Sequence, residues 1–397
     1  MIFSKSLRFS GAAFGAAAVL SIYGAHASHA DPILKSGDRV VFYGDSITEQ
    51  RLYTRYIQQY IYCRYPKLKI NFYNAGWSGD TTGGALKRLD RDVLVLKPTV
   101  VTLFFGMNDG RYTNTAPAIT DLYRQNLEAI ITKLQANNVR VIVFTPGAVD
   151  PDRNPRLGEV HYNDNLAALS QAAIDLAKKH NCAYVDVHTP MLAYQAAHKA
   201  RDPKFFMIND GVHPNPSGHL VMANIMLAGF NVDPMPDLGT IDVKTGAGSG
   251  LKSVSQAGGV FKIETANDAV IPFWFEAGNA TAAKDSGFAD LAEQRLTVRG
   301  LPKGTYDLDI DGRPAGELTN AELAKGVRVA GTYSVAGRRY TTLRTRKKTS
   351  ITRPGATSGC LSRIPPAPLR HTPTSSRPTA RSRMPSILSW LPRRRAS

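Results

Sequence analysis

Cysteine is scarce: the 397 residues contain three, Cys63, Cys182 and Cys360. So odd and sparse a set argues against a disulfide-built scaffold, and without a C-x-x-C pair no zinc ligand pattern is present. Whether Cys63 and Cys182 pair stays open at this level. Past the N-terminus no apolar run approaches the ~20 residues that a membrane-spanning helix requires. Acidic residues are outnumbered 32 to 49 by Lys and Arg, for a formal charge of +17. That imbalance alone would point to a polyanion, but its location changes the reading. Arg338–Ser397 holds 15 of the basic residues and no acidic one, which leaves +2 for everything before it. The basicity therefore belongs to a tail that can attract polyanions non-specifically, and it signals no specific nucleic-acid site in the folded part.

The one apolar run lies at the start. Lys5 and Arg8 precede a short hydrophobic stretch, Gly11–Tyr23, followed by the small-x-small triplets Ala25-His26-Ala27 and Ser28-His29-Ala30. This is the pattern of a secretory signal peptide over residues 1–30. It is too short and wrongly flanked for a spanning helix, and it sets the expectation of a secreted or periplasmic protein.

From residue 31 to 232, apolar β-branched runs alternate with helical patterns. The strands are expected at 39–43, 69–73, 99–105, 139–145 and 183–187, with helices near 52–64, 84–96, 118–136, 162–180 and 217–228. Near-continuous hydrophobicity in the strands implies cover on both faces, and the alternation implies a five-stranded parallel sheet between two helical layers. In such sheets ligands bind beyond the carboxyl ends of the strands. Residues 233–327 change style to short strands with Gly and Pro turns, a small β-rich appendage. Within it Thr319 and Glu322 have capping-box spacing. From 328 to 397 periodicity vanishes and Arg, Pro, Ser and Thr dominate. Two readings stand for this segment, a disordered basic tail and an out-of-frame translation product.

The chemistry sits after the strands. Gly44-Asp45-Ser46 follows the first, Asn74–Gly84 the second and Gly106–Gly110 the third, while Ile208–His219 follows the last strand and a helix. Convergence of these segments at one sheet edge would supply what ester cleavage needs. A hydroxyl (Ser46) needs a base (His213), the base needs a carboxylate to set its tautomer (Asp210), and a developing oxyanion needs N–H donors (Ser46, Gly79, Asn108). Singly, each residue has an ordinary alternative: Ser46, Asp45 and Asn108 as turn or cap residues, Gly79 as a turn glycine, Asp210 and His213 as a surface turn. His213 and His219 have no further ligand at a supporting spacing for a metal.

Together the blocks "FYGDSIT", "NAGWSGDTT", "FFGMND" and "NDGVHP" resemble the SGNH hydrolases, also called GDSL lipases/esterases, over roughly residues 38–230. The resemblance implies a flavodoxin-like three-layer α/β/α fold, no metal or other cofactor, and a catalytic triad of Ser46, Asp210 and His213. It also implies an oxyanion hole of Ser46, Gly79 and Asn108, with Asp45 a structural brace. Ile47 stands where the family's alternative name has leucine. Trp77, Arg111 and Tyr112 adjoin the motifs; Trp77 and Tyr112 are candidates for substrate contact, with local packing the competing and preferred role. The expected activity is hydrolysis of short-acyl esters such as acetyl groups on polysaccharide. A lipase or lysophospholipase, and an O-acyltransferase or binding relative on the same fold, are the alternatives.

Overall fold

The computed structural model describes residues 34–257, 260–265, 280–310, 313–329 and 340–345. The expected signal peptide, Cys360, and residues 330–339 and 346–397 of the segment 328–397 that raises the frame question lie outside the described residues. The elements run β1 (Arg39–Gly44), α1 (Ser46–Glu49), α2 (Leu52–Arg64), β2 (Asn71–Gly76), α3 (Thr82–Asp92), β3 (Val100–Phe104), α4 (Pro117–Ala136), β4 (Arg140–Phe144), α5 (Pro155–Glu159), α6 (Tyr162–Lys179), β5 (Ala183–Val185), α7 (His188–Lys199) and α8 (Pro216–Leu227). The C-terminal part follows with β6 (Gly239–Asp242), β7 (Gly248–Ser249), β8 (Leu251–Ala257), β9 (Val260–Thr265), α9 (Ala280–Asp285), α10 (Phe288–Ala292), β10 (Gln294–Arg299), β11 (Thr305–Ile310), β12 (Arg313–Thr319), α11 (Asn320–Lys325), β13 (Val327–Val329) and β14 (Tyr340–Thr345).

The first sheet is parallel throughout, in the order β2-β1-β3-β4-β5. The chain reverses direction across the sheet between β1 and β3, the switch point at whose carboxyl end such sheets bind ligands. Successive β1 side chains go to opposite faces, as strand geometry requires. Val40 and Phe42 join one apolar cluster with Tyr53, Ile57 and Tyr60 of α2 and Leu220 and Met222 of α8. Val41 and Tyr43 join the other with Leu89 of α3, Leu127 and Ile130 of α4 and Leu169 of α6. Burial on both faces is why the strands read as unbroken apolar runs, and it gives the expected three-layer α/β/α fold with its five-stranded parallel sheet. Cys63 and Cys182 are both buried and not joined in a disulfide; they sit in the two different clusters, on opposite faces of the sheet.

The C-terminal region holds two more sheets. One runs β13-β10-β6-β7, and the other is antiparallel, β12-β11-β14-β9-β8. They share an apolar core that includes Ile241, Phe261, Ile263, Leu296, Val298, Tyr306, Leu308 and Leu323. The Thr319 capping box forms: Thr319 N–H donates to Glu322 Oε2 at 2.7 Å, and Glu322 N–H donates to Thr319 Oγ1 at 3.2 Å. Two features depart from the sequence reading. The helices α9 and α10 interrupt the β region and pack into the α/β core, with Phe288 fully buried edge-on against Tyr60 and Asn224 of α8 donating to Ser286 O at 2.6 Å. Strand pairing also continues past residue 328: β14 lies between β9 and β11, hydrogen-bonded to both. A strand so placed takes its support from distant neighbours and needs no periodicity of its own.

Candidate active site

Gly44 ends β1 at a point of close approach. A Cβ there would lie 2.1 Å from Thr48 Oγ1 and 2.7 Å from Phe104 O, so only glycine lets α1 fold back over the strand end. Asp45 caps α1, its Oδ1 accepting from Ile47 N–H at 3.0 Å. Ser46 is thereby the first residue of a helix, where unsatisfied backbone N–H groups concentrate.

Ser46 Oγ lies 2.9 Å from His213 Nε2, although 167 positions separate the two in sequence. His213 Nδ1 lies 2.8 Å from Asp210 Oδ2, and Asp210 Oδ1 accepts the backbone N–H of His213 at 2.7 Å and of Val212 at 2.9 Å. A carboxylate facing Nδ1 places the imidazole proton there and leaves Nε2 to accept from the serine hydroxyl. Burial would raise the Asp210 carboxyl, but the bonds from His213 and Val212 outweigh it and pull it down to about 2. It is anionic throughout the range in which a histidine base works. His213 and Asp210 keep side-chain exposures of 34% and 58%, so this end of the site is open to solvent.

The loop bearing the pair is clamped. Ile208 and Pro214 form an antiparallel bridge and Asn209 N–H donates to His213 O at 2.9 Å. Gly211 takes φ +88°, and a Cβ on it would strike Asn154 Cβ at 2.6 Å. The segment after β4 holds the loop from outside: Asp150 N–H donates to Gly211 O at 2.9 Å and Arg153 Nε to Asn209 O at 3.1 Å. Lys199 of α7 pairs in turn with Asp150 and Asp152. No motif announced the outer part of this clamp, because Asp150, Asp152, Arg153, Asn154 and Lys199 all lie outside the segment that carries Asp210.

A second unannounced residue is Arg88. Its guanidinium is buried in α3, 4.5 Å over the Tyr43 ring. Its Nε donates to Asp80 Oδ2 at 2.7 Å, Nη1 to Ala75 O at 2.8 Å and Nη2 to Gly44 O at 3.1 Å. One side chain thus ties the ends of β1 and β2 to the turn holding Gly79. The available signal was its position: with Thr82, Ala85 and Leu89 it lies on the buried stripe of α3, where an unpaired charge would be costly.

Gly79 adopts φ +73°, a turn geometry that suits glycine. Asn108 follows β3 and reaches the same turn, its Nδ2 donating to Asp80 O at 2.9 Å. Asp109 Oδ1 accepts from both the N–H and the hydroxyl of Thr82. Tyr112 donates to Asn108 Oδ1 at 2.9 Å. Trp77 is half-exposed beside the turn, with Arg91 5.9 Å from its ring centre, while Arg111 and Tyr112 both take left-handed backbone conformations. His219 lies elsewhere in function: buried, 2.8 Å from Gln50 Oε1 and stacked on Tyr53. The structure therefore gathers Ser46, Asp210 and His213 into one hydrogen-bonded chain and ties Asn108 to the Gly79 turn.

Asp45 is buried, and burial drives its carboxyl up to about 7, helped by the nearby Asp109 and Asp80 charges and opposed by the bond from Ile47. A folded-state value above the ordinary one makes its contribution to stability full below about pH 4 and lost as pH rises through 7. Asp45→Asn keeps the acceptor for Ile47 and does not titrate. Urea unfolding at pH 5 and pH 8 should therefore show the wild type losing about 2–3 kcal/mol more than Asp45→Asn over that interval. Parallel losses in the two proteins would rule out Asp45 as the source.

Residues 42–221 match the model of the GDSL-like Lipase/Acylhydrolase family. The chain is similar to the acetylxylan esterase of Geobacillus stearothermophilus, 24% identical over 213 residues that cover 48% of this chain and 93% of that protein. Among solved structures it is similar to a gut microbial diltiazem-metabolizing enzyme, with a TM-score of 0.65 and 25% identity over 74% of this chain and 73% of that one. It also matches a catalytic mutant of the Geobacillus stearothermophilus acetylxylan esterase at a TM-score of 0.41 and 22% identity, over 50% of this chain and 97% of the other.

Proposed function

We propose that this chain, whose residues 42–221 form a GDSL-like lipase/acylhydrolase domain and which is thus an ester-bond hydrolase, is an extracytoplasmic serine esterase that removes acetyl and other short acyl groups from polysaccharide. The observation that carries the mechanism is the unbroken chain Ser46 Oγ–His213–Asp210 at 2.9 and 2.8 Å. As Ser46 Oγ bonds to the ester carbonyl carbon, its proton passes to His213 Nε2. The tetrahedral oxyanion is held by the N–H groups of Ser46 and Gly79 and by the Asn108 amide. Collapse expels the alcohol, which takes the proton from His213. Water then delivers a proton to the same nitrogen, attacks the acyl-enzyme, and releases the acid as Ser46 regains its hydrogen. Asp210 holds the tautomer and offsets the imidazolium charge throughout.

The open site and the exposed Trp77 face suit a sugar chain better than a buried acyl tail, since an indole presents a flat apolar surface to a pyranose. The similarity to an acetylxylan esterase supports the same class, and the signal-peptide pattern expected over residues 1–30 supports export. A panel of p-nitrophenyl esters from acetyl to dodecanoyl, run beside acetylated xylan, pectin and rhamnogalacturonan, tests the proposal. Turnover should fall steeply beyond butanoyl, with acetate released from at least one polymer. A preference for long chains would replace this reading with a lipase or lysophospholipase. Transfer to an added alcohol in place of hydrolysis would replace it with an acyltransferase.

A further inference from the structure

We infer that Tyr112 is a positioning residue that aims the Asn108 amide into the oxyanion hole; the inference rests on Asn108 being an oxyanion donor. A carboxamide is planar, so fixing its oxygen and one N–H fixes the direction of the other N–H. Both are fixed here. Asn108 Nδ2 donates one hydrogen to Asp80 O at 2.9 Å, and Asn108 Oδ1 accepts from Tyr112 Oη at 2.9 Å. The reversed amide would set Asn108 Oδ1 against the Asp80 carbonyl oxygen, two acceptors facing one another. The remaining Nδ2 hydrogen is the one left for substrate, and its aim depends on the two partners.

Tyr112 is itself held. Its ring stacks on Tyr162 with centres 5.0 Å apart and planes inclined by 24°, and Tyr162 is fully buried with its hydroxyl on Met107 O. Asn165 Nδ2 bonds Gly110 O and Thr113 O at 2.9 and 2.8 Å, securing the turn on either side of Tyr112. Two consecutive non-glycine residues in the left-handed region, Arg111 at φ +57° and Tyr112 at φ +53°, are costly enough to persist only where neighbours impose them. That conformation brings the phenol back onto a side chain four positions earlier. Burial, with the Asp45 and Asp210 charges adding to it, pushes the Tyr112 hydroxyl up to about 12, so it remains a donor over any working pH.

The test is a double-mutant cycle on p-nitrophenyl acetate. Asn108→Ala should lower kcat by about 10²–10³-fold. Tyr112→Phe keeps the ring and its stack, and should lower kcat by about five- to fifteen-fold with KM within about twofold. In the Asn108→Ala background, Tyr112→Phe should change kcat by less than about twofold, because the group it aims is gone. A Tyr112→Phe variant with raised KM and parental kcat would make Tyr112 a substrate contact and overturn the inference. So would losses that multiply in the double variant, since a general structural defect acts whether or not Asn108 is present. An unaffected Asn108→Ala would instead remove the oxyanion assignment on which the inference stands.

Discussion

Ser46→Ala should lower kcat/KM for p-nitrophenyl acetate about ten-thousand-fold or more and abolish labelling by a fluorophosphonate, with the thermal midpoint unchanged within about 2 °C. The two halves of that expectation have separate physical grounds. In the proposed mechanism activity collapses because Oγ is the atom that bonds to carbon; without it, His213 can only activate water, which is not held in place. Stability is spared because the hydroxyl's partner is His213 Nε2 at 2.9 Å. That imidazole is 34% exposed, so the freed nitrogen turns to solvent and no buried acceptor is stranded. The cap on α1 belongs to Asp45 and is untouched. Activity within tenfold of the parent would sink the assignment of Ser46 as nucleophile.

Arg88→Met should strongly destabilise the α/β fold, although Arg88 touches none of the proposed reacting groups. Arg88 and Asp80 are each only 8% exposed at the side chain. Removing the cation leaves Asp80 buried without its partner and strips donors from Gly44 O and Ala75 O. Breaking a buried pair in this way costs about 3–5 kcal/mol, roughly 6–20 °C in midpoint for a domain of this size. Activity should fall beyond what instability explains, since the same bonds hold Ser46's strand end against the Gly79 turn. Arg88→Met/Asp80→Leu removes both charges and should recover part of the midpoint with little of the activity. A midpoint loss under about 2 °C in the single variant would mean that the pair is not what holds these strand ends together.

The local patterns carried a great deal. Helix α2 is found over 52–64 as its apolar period indicates, and β1, β3 and β4 fall within a residue of the predicted runs, because burial on both faces leaves a signature in composition alone. Elements with a weaker local signature were not legible. Helix α7 buries His188, Met191 and Gln195, two of them polar, so no apolar stripe marks it. Helices α1 and α5 are too short to show a period, and β14 takes its place from β9 and β11.

The same division runs through the site. The proposed reacting groups were legible in the sequence, since a hydroxyl, an imidazole and a carboxylate have few substitutes for this chemistry and occur in recognisable local company. What holds them was decided by the tertiary structure. Arg88 reaches a carbonyl 44 positions away, Lys199 reaches Asp150 from 49 positions away, and Tyr112 meets Asn108 only because the backbone between them turns left-handed. A nucleophile is a property of a residue, but its aim is a property of distances, and those exist only once the sheet has brought the strand ends together.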